Sequence, residues 1–446
     1  MSRDPLDVWL YGTRIAQLQE DTRGRITLQW APEAEERWGH GARVLSAKLA
    51  FGSTPASALV RTYLDGLLPE GNARVSHAMT AGIPPDDTYA LIRTYGRDTP
   101  GAGIFVPAGT DDPTRAGRYL PLTDQEVADR LRRADEHQSA SPTQTIESST
   151  LPGMVPKITL HRVSGRWQAC KEGAPSTWIL KRASAPDSDI GDLVDTEVAC
   201  LTLARQLGLT TIDAELLDFG DVRAIAVSRY DRDPSDDHAR IHQEDLAQAV
   251  GLDTSDPNRK FQWGARMPSL AQASQVLLLD GGNPDHLLRL VTFSLLVGNT
   301  DMHAKNISFL RYADGRVALS PAYDIAMHLH HPRDNRRFAL DVNDRCRMEE
   351  LDVVDVVAEA EKWGIQSRRA RRVATETTRA LDNALGKLDR SPYTGVPSQA
   401  WELVAQRTAA ALTSLAASEP PRASTDGADS TATSAPSRRR GPRRPR

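Results

Sequence analysis

Hydrophobic residues in the first quarter of the chain fall into short runs bounded by turn residues. Val8-Trp9-Leu10-Tyr11-Gly12 and Gly24 to Trp30 read as strands. Ala58 to Leu68 carries helical spacing and stops at Pro69, and Phe105-Val106-Pro107 closes an α+β unit expected over residues 1–117. A polar stretch follows, Ser/Thr-rich from Ser139 to Thr150, which predicts a linker or mobile segment over 118–148. Strand patterns return at Ile158-Thr159-Leu160-His161, Arg166 to Cys170 and Trp178-Ile179-Leu180-Lys181. A helix is expected from Asp195 to Leu207, with Asp195 as its N-cap and Gly208 at its stop. Two more strands, Ala214 to Leu217 and Val222 to Tyr230, complete a small β-rich lobe over 149–235. From Gln243 to about Ala416 the pattern is mainly helical, broken by a loop-and-strand region from Gly298 to Ser320, which predicts a larger helical lobe over 236–416. The remaining segment, 417–446, is rich in Ser, Thr, Pro and Arg and reads as a disordered tail.

Composition narrows the class. The chain has 446 residues, 39% apolar and 26% charged, as in soluble globular proteins. Its 55 basic and 59 acidic residues give a formal net charge of −4. Six arginines lie between Ser437 and Arg446, so the body without them is more acidic still and does not read as a nucleic-acid-binding surface. The arginine-rich end reads as a solubilising or unselected disordered end, with contact to nucleic-acid phosphates as the alternative. Cys170, Cys200 and Cys346 are far apart, which excludes a C-x-x-C zinc site and a disulfide framework and points to a reducing cytoplasm. Asp4 and Asp7 interrupt the start where a signal peptide would be apolar, and Leu287 to Val297 is too short to span a bilayer.

The chemistry concentrates in Gly298-Asn299-Thr300-Asp301-Met302-His303-Ala304-Lys305-Asn306, followed by Pro321-Ala322-Tyr323-Asp324. Phosphoryl transfer needs a carboxylate to orient the attacking hydroxyl, and oxygen ligands to hold magnesium across the phosphates. Asp301, Asn306 and Asp324 stand in the order that protein kinases use for these tasks. Lys181, at the end of a small-lobe strand, is a candidate for the non-transferred phosphates, with Glu197 in the next helix as its partner. Ser149 to Lys157 precedes a strand and carries one glycine, Gly153, in a segment that would lie over phosphates. Asp218-Phe219-Gly220 spells a familiar kinase tripeptide, but it precedes the Asp301 loop and reads as a hairpin turn. His328, His330 and His331 lack a cysteine or well-spaced carboxylate, so they read as a polar loop near the nucleotide.

On these residues the chain resembles the HipA family of serine/threonine protein kinases, toxins of type II toxin–antitoxin pairs. The likeness covers nearly everything except the tail. It rests on Val8 to Leu18, Tyr63-Leu64-Asp65-Gly66-Leu67-Leu68-Pro69, Gly96-Arg97-Asp98, Val222 to Arg232, Gln243 to Leu252 and the Asp301 loop with Tyr323-Asp324. The resemblance implies an α+β fold: a two-lobed kinase-like architecture with an N-terminal α+β subdomain, a small β-rich lobe and a larger, mostly helical lobe. It implies ATP and Mg2+ as cofactors, Asp301 as catalytic base, and Asn306 and Asp324 as metal ligands. Lys181 and the loop Pro152, Gly153, Met154, Val155, Pro156 and Lys157 would bind ATP phosphates. Ser228, Arg229 and Tyr230 would form the hinge against adenine, with His303 and Tyr323 lining the same site and His303 in a phosphate-neutralising position. Thr150, or the adjacent Ser149, matches the serine that family members phosphorylate to eject the loop. Pro152 and Val155 replace the family's usual Ala and Gln there.

The partners so implied are a HipB-like helix-turn-helix antitoxin, DNA only through that antitoxin, and a protein substrate such as an aminoacyl-tRNA synthetase. Two other readings stay open from the sequence. One is a catalytically weak relative acting as an antitoxin-bound co-repressor, which the altered loop favours. The other is a kinase of small-molecule hydroxyls, against which the large N-terminal unit weighs.

Overall fold

The computed structural model describes residues 3–136, 157–185, 187–236 and 238–418. The loop Pro152 to Pro156, with Thr150 and Ser149, and the tail from 419 lie outside them.

The first unit is a four-stranded antiparallel sheet of β1 (Leu6–Leu10), β2 (Thr13–Glu20), β3 (Ile26–Trp30) and β4 (Ile104–Pro107), in the order β3-β2-β1-β4. β2 is absent from the sequence reading, which ran past it. Tyr11 and Gly12 both take positive φ, 52° and 74°, the pair of left-handed residues that a tight hairpin requires. Helices α1 (Pro32–Trp38), α2 (Ser57–Gly66), α3 (Gly71–Ala81) and α4 (Thr88–Tyr95) complete the unit. Leu6, Val8, Ile15 and Leu18 from the sheet share its core with Val60, Leu64, Tyr89 and Ile92 from the helices.

The second sheet is antiparallel with six strands: β5 (Arg118–Pro121), β6 (Lys157–Val163), β7 (Arg166–Lys171), β8 (Trp178–Arg182), β9 (Ala214–Phe219) and β10 (Val222–Ser228). Two helices belong to it, α5 (Asp124–Glu136) and α6 (Leu193–Gln206). β5 and α5 fall where the sequence predicted a linker over 118–148. The correction has a physical cause. α5 is charged almost throughout, yet Val127, Ala128 and Leu131 recur on one face and pack with Ile158, Leu160 and Leu180.

Alternation in this sheet sorts side chains cleanly. Leu180, Ala224 and Ala226 enter the cluster under α5, whereas Ile179, Ile225 and Val227 join Val194, Val198 and Leu201 of α6 on the other face. α6 begins at Leu193 with Asp192 in its N-cap position, three residues before the expected cap, Asp195. Its opposite side, with Ala199, Cys200, Leu203 and Ala204, packs into the core of the large lobe. α6 is therefore held between the two lobes.

The large lobe contains α7 (Leu246–Val250), α8 (Leu270–Leu279), α9 (Asp285–Val297), α10 (Val353–Lys362), α11 (Ser367–Lys387) and α12 (Ser398–Ala417). α9 is buried along most of its length and packs against α10, α11 and α12. A three-stranded sheet of β11 (His242–Asp245), β12 (Ser308–Arg311) and β13 (Val317–Leu319) sits beside it, with a hairpin of β14 (Arg337–Val342) and β15 (Arg345–Arg347) beyond. β11, β14 and β15 lie in the stretch that the sequence presented as helical. No helix of the described residues is long and apolar enough to cross a membrane.

Candidate active site

A cavity of about 450 Å3 lies between the two lobes. Its roof is the face of the six-stranded sheet opposite α5. Because side chains alternate, Ile179 and Lys181 both point to it while Leu180 points away. Ile179, Val227, Leu201 and Ile212 form an apolar end. Lys157 stands directly opposite Lys181 in the β6–β8 pairing and also borders the cavity.

Lys181 Nζ lies 2.8 Å from Glu197 Oε1 and 2.5 Å from Asp324 Oδ1. Three elements thus meet in one ion-paired triangle: β8, α6 and the turn after β13. Burial works against charge on Lys181, but Asp324 and Glu197 outweigh it and raise its pKa above the usual lysine value. Burial likewise opposes charge on Asp324, and the Lys181 and Lys157 ammoniums nonetheless hold it well below the usual carboxylate range. Glu197 is displaced the other way, upward, by its burial. Burial and the neighbouring Lys181 push Lys157 down to about 8. Asp324 takes φ +54°, a left-handed conformation uncommon outside glycine and asparagine, held here at the centre of the constellation.

The floor is the loop joining α9 to β12. Gly298 ends α9 at φ +73°, where an added Cβ would meet the Leu329 side chain at 3.0 Å, so glycine suits this turn on both counts. Asp301 keeps 48% of its side-chain surface open toward the cavity, but the protein around it restricts hydration. That burial and the nearby Asp324 carboxylate raise it to about 7. Asn306 donates its Nδ2 hydrogen to the Asp301 carbonyl at 2.8 Å, which leaves the amide oxygen as its free acceptor. A carboxylate at Asp324 and an amide oxygen at Asn306 are hard donors suited to magnesium.

His303 borders the cavity with Nε2 3.8 Å from Asp301 Oδ1, and its ring meets Phe261 edge-on at 5.2 Å. Burial and Lys260 lower its pKa to about 3, so the ring is neutral near pH 7. Tyr323 packs against Tyr230, ring centroids 5.1 Å apart, and its hydroxyl donates to the Lys305 carbonyl at 2.8 Å.

The residues expected at the hinge, Ser228 to Tyr230, divide their labour. Ser228 and Arg229 spend their backbone N–H groups on the Asp213 and Thr177 carbonyls, both at 2.8 Å. The Arg229 guanidinium is buried and bonds Asp231 through Nε and Nη2, Ser176 through Nη1 and the Thr99 carbonyl through Nη2. Arg232 reaches Asp98 of the first unit at 2.8 Å, in the same buried cluster.

Sequence reasoning missed a second cluster beneath the floor. Lys305, inside the loop, lies 3.1 Å from Asp245 and 3.3 Å from Glu70, and Lys260 lies 3.5 Å from Glu70. Glu70 follows directly on the Tyr63 to Pro69 string, so the first unit supplies a side chain to the cavity wall. No local pattern marks these pairings, which join residues far apart in the chain. Asp218 is exposed at the end of β9, in the hairpin closed by Gly220 at φ +66°.

Comparison with known proteins agrees in extent. Residues 6–105 match a family model described as the HipA N-terminal domain, and residues 149–385 one described as the HipA-like C-terminal domain. Two relatives from Sinorhizobium fredii are named putative kinases: Y4dM, 29% identical over 72% of this chain and 76% of its own, and Y4mE, 28% identical over 86% and 91%. The serine/threonine-protein kinase toxin HipA of Shewanella oneidensis is 29% identical over 65% of this chain and 67% of its own. A solved structure of Shewanella oneidensis HipA with HipB and operator DNA superposes with a TM-score of 0.74 at 22% identity, covering 92% of this chain and 96% of that one. The fold is thus the α+β, kinase-like one.

Proposed function

The chain belongs to the HipA family, and on that premise we propose that it is an ATP- and magnesium-dependent kinase of protein serine or threonine hydroxyls. The observation that carries the reading is the convergence of Lys181, Glu197, Asp324, Asp301 and Asn306 on one cavity of nucleotide-accommodating size. Lys181, oriented by Glu197, binds the phosphates that stay behind, with Lys157 beside it. Magnesium, held by Asn306 and Asp324, would supply neutralisation of the phosphate charge. Asp301 orients the acceptor hydroxyl and accepts its proton, and a carboxyl poised near neutrality is matched to that task. His303 offers an uncharged N–H toward the same space. Adenine occupies the apolar end, where Ile179, Leu201, Ile212 and Val227 exclude water; Ser228 to Tyr230 meet its edge.

Segment 1–117 then serves as the N-terminal subdomain, 149–235 together with β5 and α5 as the small lobe, and 236–416 as the large lobe. Thr150 or Ser149, outside the described residues, is the self-phosphorylation site. A HipB-like helix-turn-helix antitoxin is the partner, with DNA reached only through it, and a protein substrate such as an aminoacyl-tRNA synthetase is the acceptor. Incubating the protein with labelled ATP, magnesium and a cell lysate should label a small set of proteins on serine or threonine. Asp301→Asn should lower that labelling by about 10²–10⁴. Undiminished labelling by the variant would remove Asp301 from the role.

A further inference from the structure

Outside the cavity, Asp192, His330 and His331 bring one carboxylate and two imidazole nitrogens together, all within 4.8 Å of one another. Sequence spacing alone gave the histidines no carboxylate. The fold supplies one from the small lobe, more than a hundred positions upstream. Asp192 Oδ2 lies 2.6 Å from His330 Nε2, and Oδ1 lies 2.8 Å from His331 Nε2.

Three features set this group apart from ordinary surface pairing. Asp192 holds the N-cap position of α6, where an aspartate normally caps a backbone N–H, yet its side chain makes no capping bond and is spent on the two imidazoles. Both histidine side chains are 6% exposed and that of Asp192 15%, so the group is largely shielded from water. Among the described residues the ion pairs of Asp192 run to these two histidines and to no lysine or arginine, which leaves a shielded carboxylate without a permanent counter-charge. In addition, Nδ1 of His330 is buried with no hydrogen-bond partner, so the Asp192 carboxylate alone holds this ring's proton, on Nε2.

We propose that Asp192, His330 and His331 form a binding site for a transition-metal dication of the zinc class. Two neutral imidazoles and one carboxylate are a zinc-type donor set, and magnesium is disfavoured by the nitrogen ligands. Ligand atoms on a tetrahedral zinc sit about 3.3 Å apart given metal–ligand bonds of ~2.0–2.1 Å. Seating the ion therefore requires the carboxylate to retreat by about half an ångström and the two Nε2 protons to leave.

The ion would join two elements that the cavity also joins. Asp192 precedes Glu197 by five residues at the start of α6, and the histidines follow Asp324 in the same segment. A bound dication ties the start of α6 to that segment from outside, as Lys181 ties them from within. The site shares no residue with the nucleotide site, so its failure leaves the kinase reading standing, and the converse also holds.

The test uses the full, tag-free chain, stripped with a chelator and titrated with zinc in excess magnesium. About one equivalent should bind, and the unfolding temperature should climb with zinc concentration. X-ray absorption at the zinc edge should report nitrogen and oxygen ligands with two imidazoles and no sulfur. The double variant His330→Ala, His331→Ala should weaken binding by more than the ~10–100-fold that loss of an outer partner costs. Should that variant not fold, the spectrum of the unaltered chain decides. No bound equivalent, sulfur among the ligands, or full-strength binding by a folded double variant would overturn the proposal.

Discussion

Two ionic clusters bridge separate parts of the chain, and they are built to different standards. Beside the residues expected at the hinge, Asp98 of the first unit and Asp231 are ion-paired with Arg229 and Arg232, each no more than 5% exposed, and buried Arg240 adds a third guanidinium nearby. Against the cost of burial, the arginines hold both Asp98 and Asp231 below the usual carboxylate range. In the cavity, Lys181 and Lys157 face Glu197, Asp324 and Asp301. There the carboxylates outnumber the cations, and burial raises two of them, Glu197 and Asp301, above their ordinary values. A closed cluster whose carboxylates are all ion-paired fixes geometry. An unbalanced one, open on one side, stores unsatisfied charge that a cationic or proton-bearing ligand relieves, at a cost in stability.

The sharpest way to break this contrast is a pair of substitutions. Asp301→Asn should cut phosphotransfer by the two to four decades given above while leaving the unfolding temperature unchanged or higher, since a carboxyl whose folded pKa is raised destabilises the fold above its unfolded value of 3.8. A clear fall in unfolding temperature would place Asp301 among the structural charges instead. Asp98→Ala is the counterpart. It strands Arg229 and Arg232 and should cost about 3–5 kcal/mol in denaturant unfolding. A loss under ~1 kcal/mol would mean that the hinge cluster behaves like a surface pair.

A smaller effect separates the regions by pH. His242 of β11 is fully buried; Nε2 pairs with the Leu45 carbonyl at 2.7 Å and Nδ1 accepts the Ala102 N–H at 3.2 Å, both from the first unit. Burial depresses its pKa from 6.5 to about 4. The stability it contributes is present above pH 6.5 and is lost as pH falls toward 4, by on the order of 3 kcal/mol. Glu197 and Asp301 act with the opposite sign, because a raised carboxylate gains from protonation. Comparing urea midpoints of the parent and His242→Gln at pH 7.5 and 5 isolates the histidine; an identical pH slope in both would exclude it. Smallest of all, Ser228→Ala removes the hydroxyl that accepts the Asp213 N–H at 2.9 Å. It should cost about 1 kcal/mol and, on the proposed reading in which the hinge acts through its backbone, leave nucleotide affinity unaltered. A tenfold loss of affinity would give the serine side chain a direct role.

How much of this was readable beforehand follows from the range of the interactions. The strands carrying Lys181 and Ser228, the helix carrying Glu197 and the loop carrying Asp301 and Asn306 all have local signatures: alternation, helical spacing, a glycine stop. β2 escaped because its hairpin turn is only two residues long, and α5 because three apolar residues are diluted by charge. β14 and β15 were passed over although Asn343-Asp344 between them, both at positive φ, is a two-residue turn of the same kind; their strands carry only short apolar runs. The residues under the floor, Glu70, Asp245, Lys260 and Lys305, and the carboxylate that meets His330 and His331, were illegible for a different reason. Each is a pairing between residues far apart in the chain, and such pairings exist only once the chain has closed on itself.

β8 is hydrogen-bonded on both flanks, to β6 and to β10, and it presents Ile179 and Lys181 to one side and Leu180 to the other. A single inserted or deleted codon within it would hand the ammonium's place to leucine and turn the lysine into the oily layer beneath α5. Length changes in this lobe are therefore tolerable only at the hairpin tips, such as Ser164-Gly165, and the strand itself is fixed in its reading frame by chemistry on one side and packing on the other.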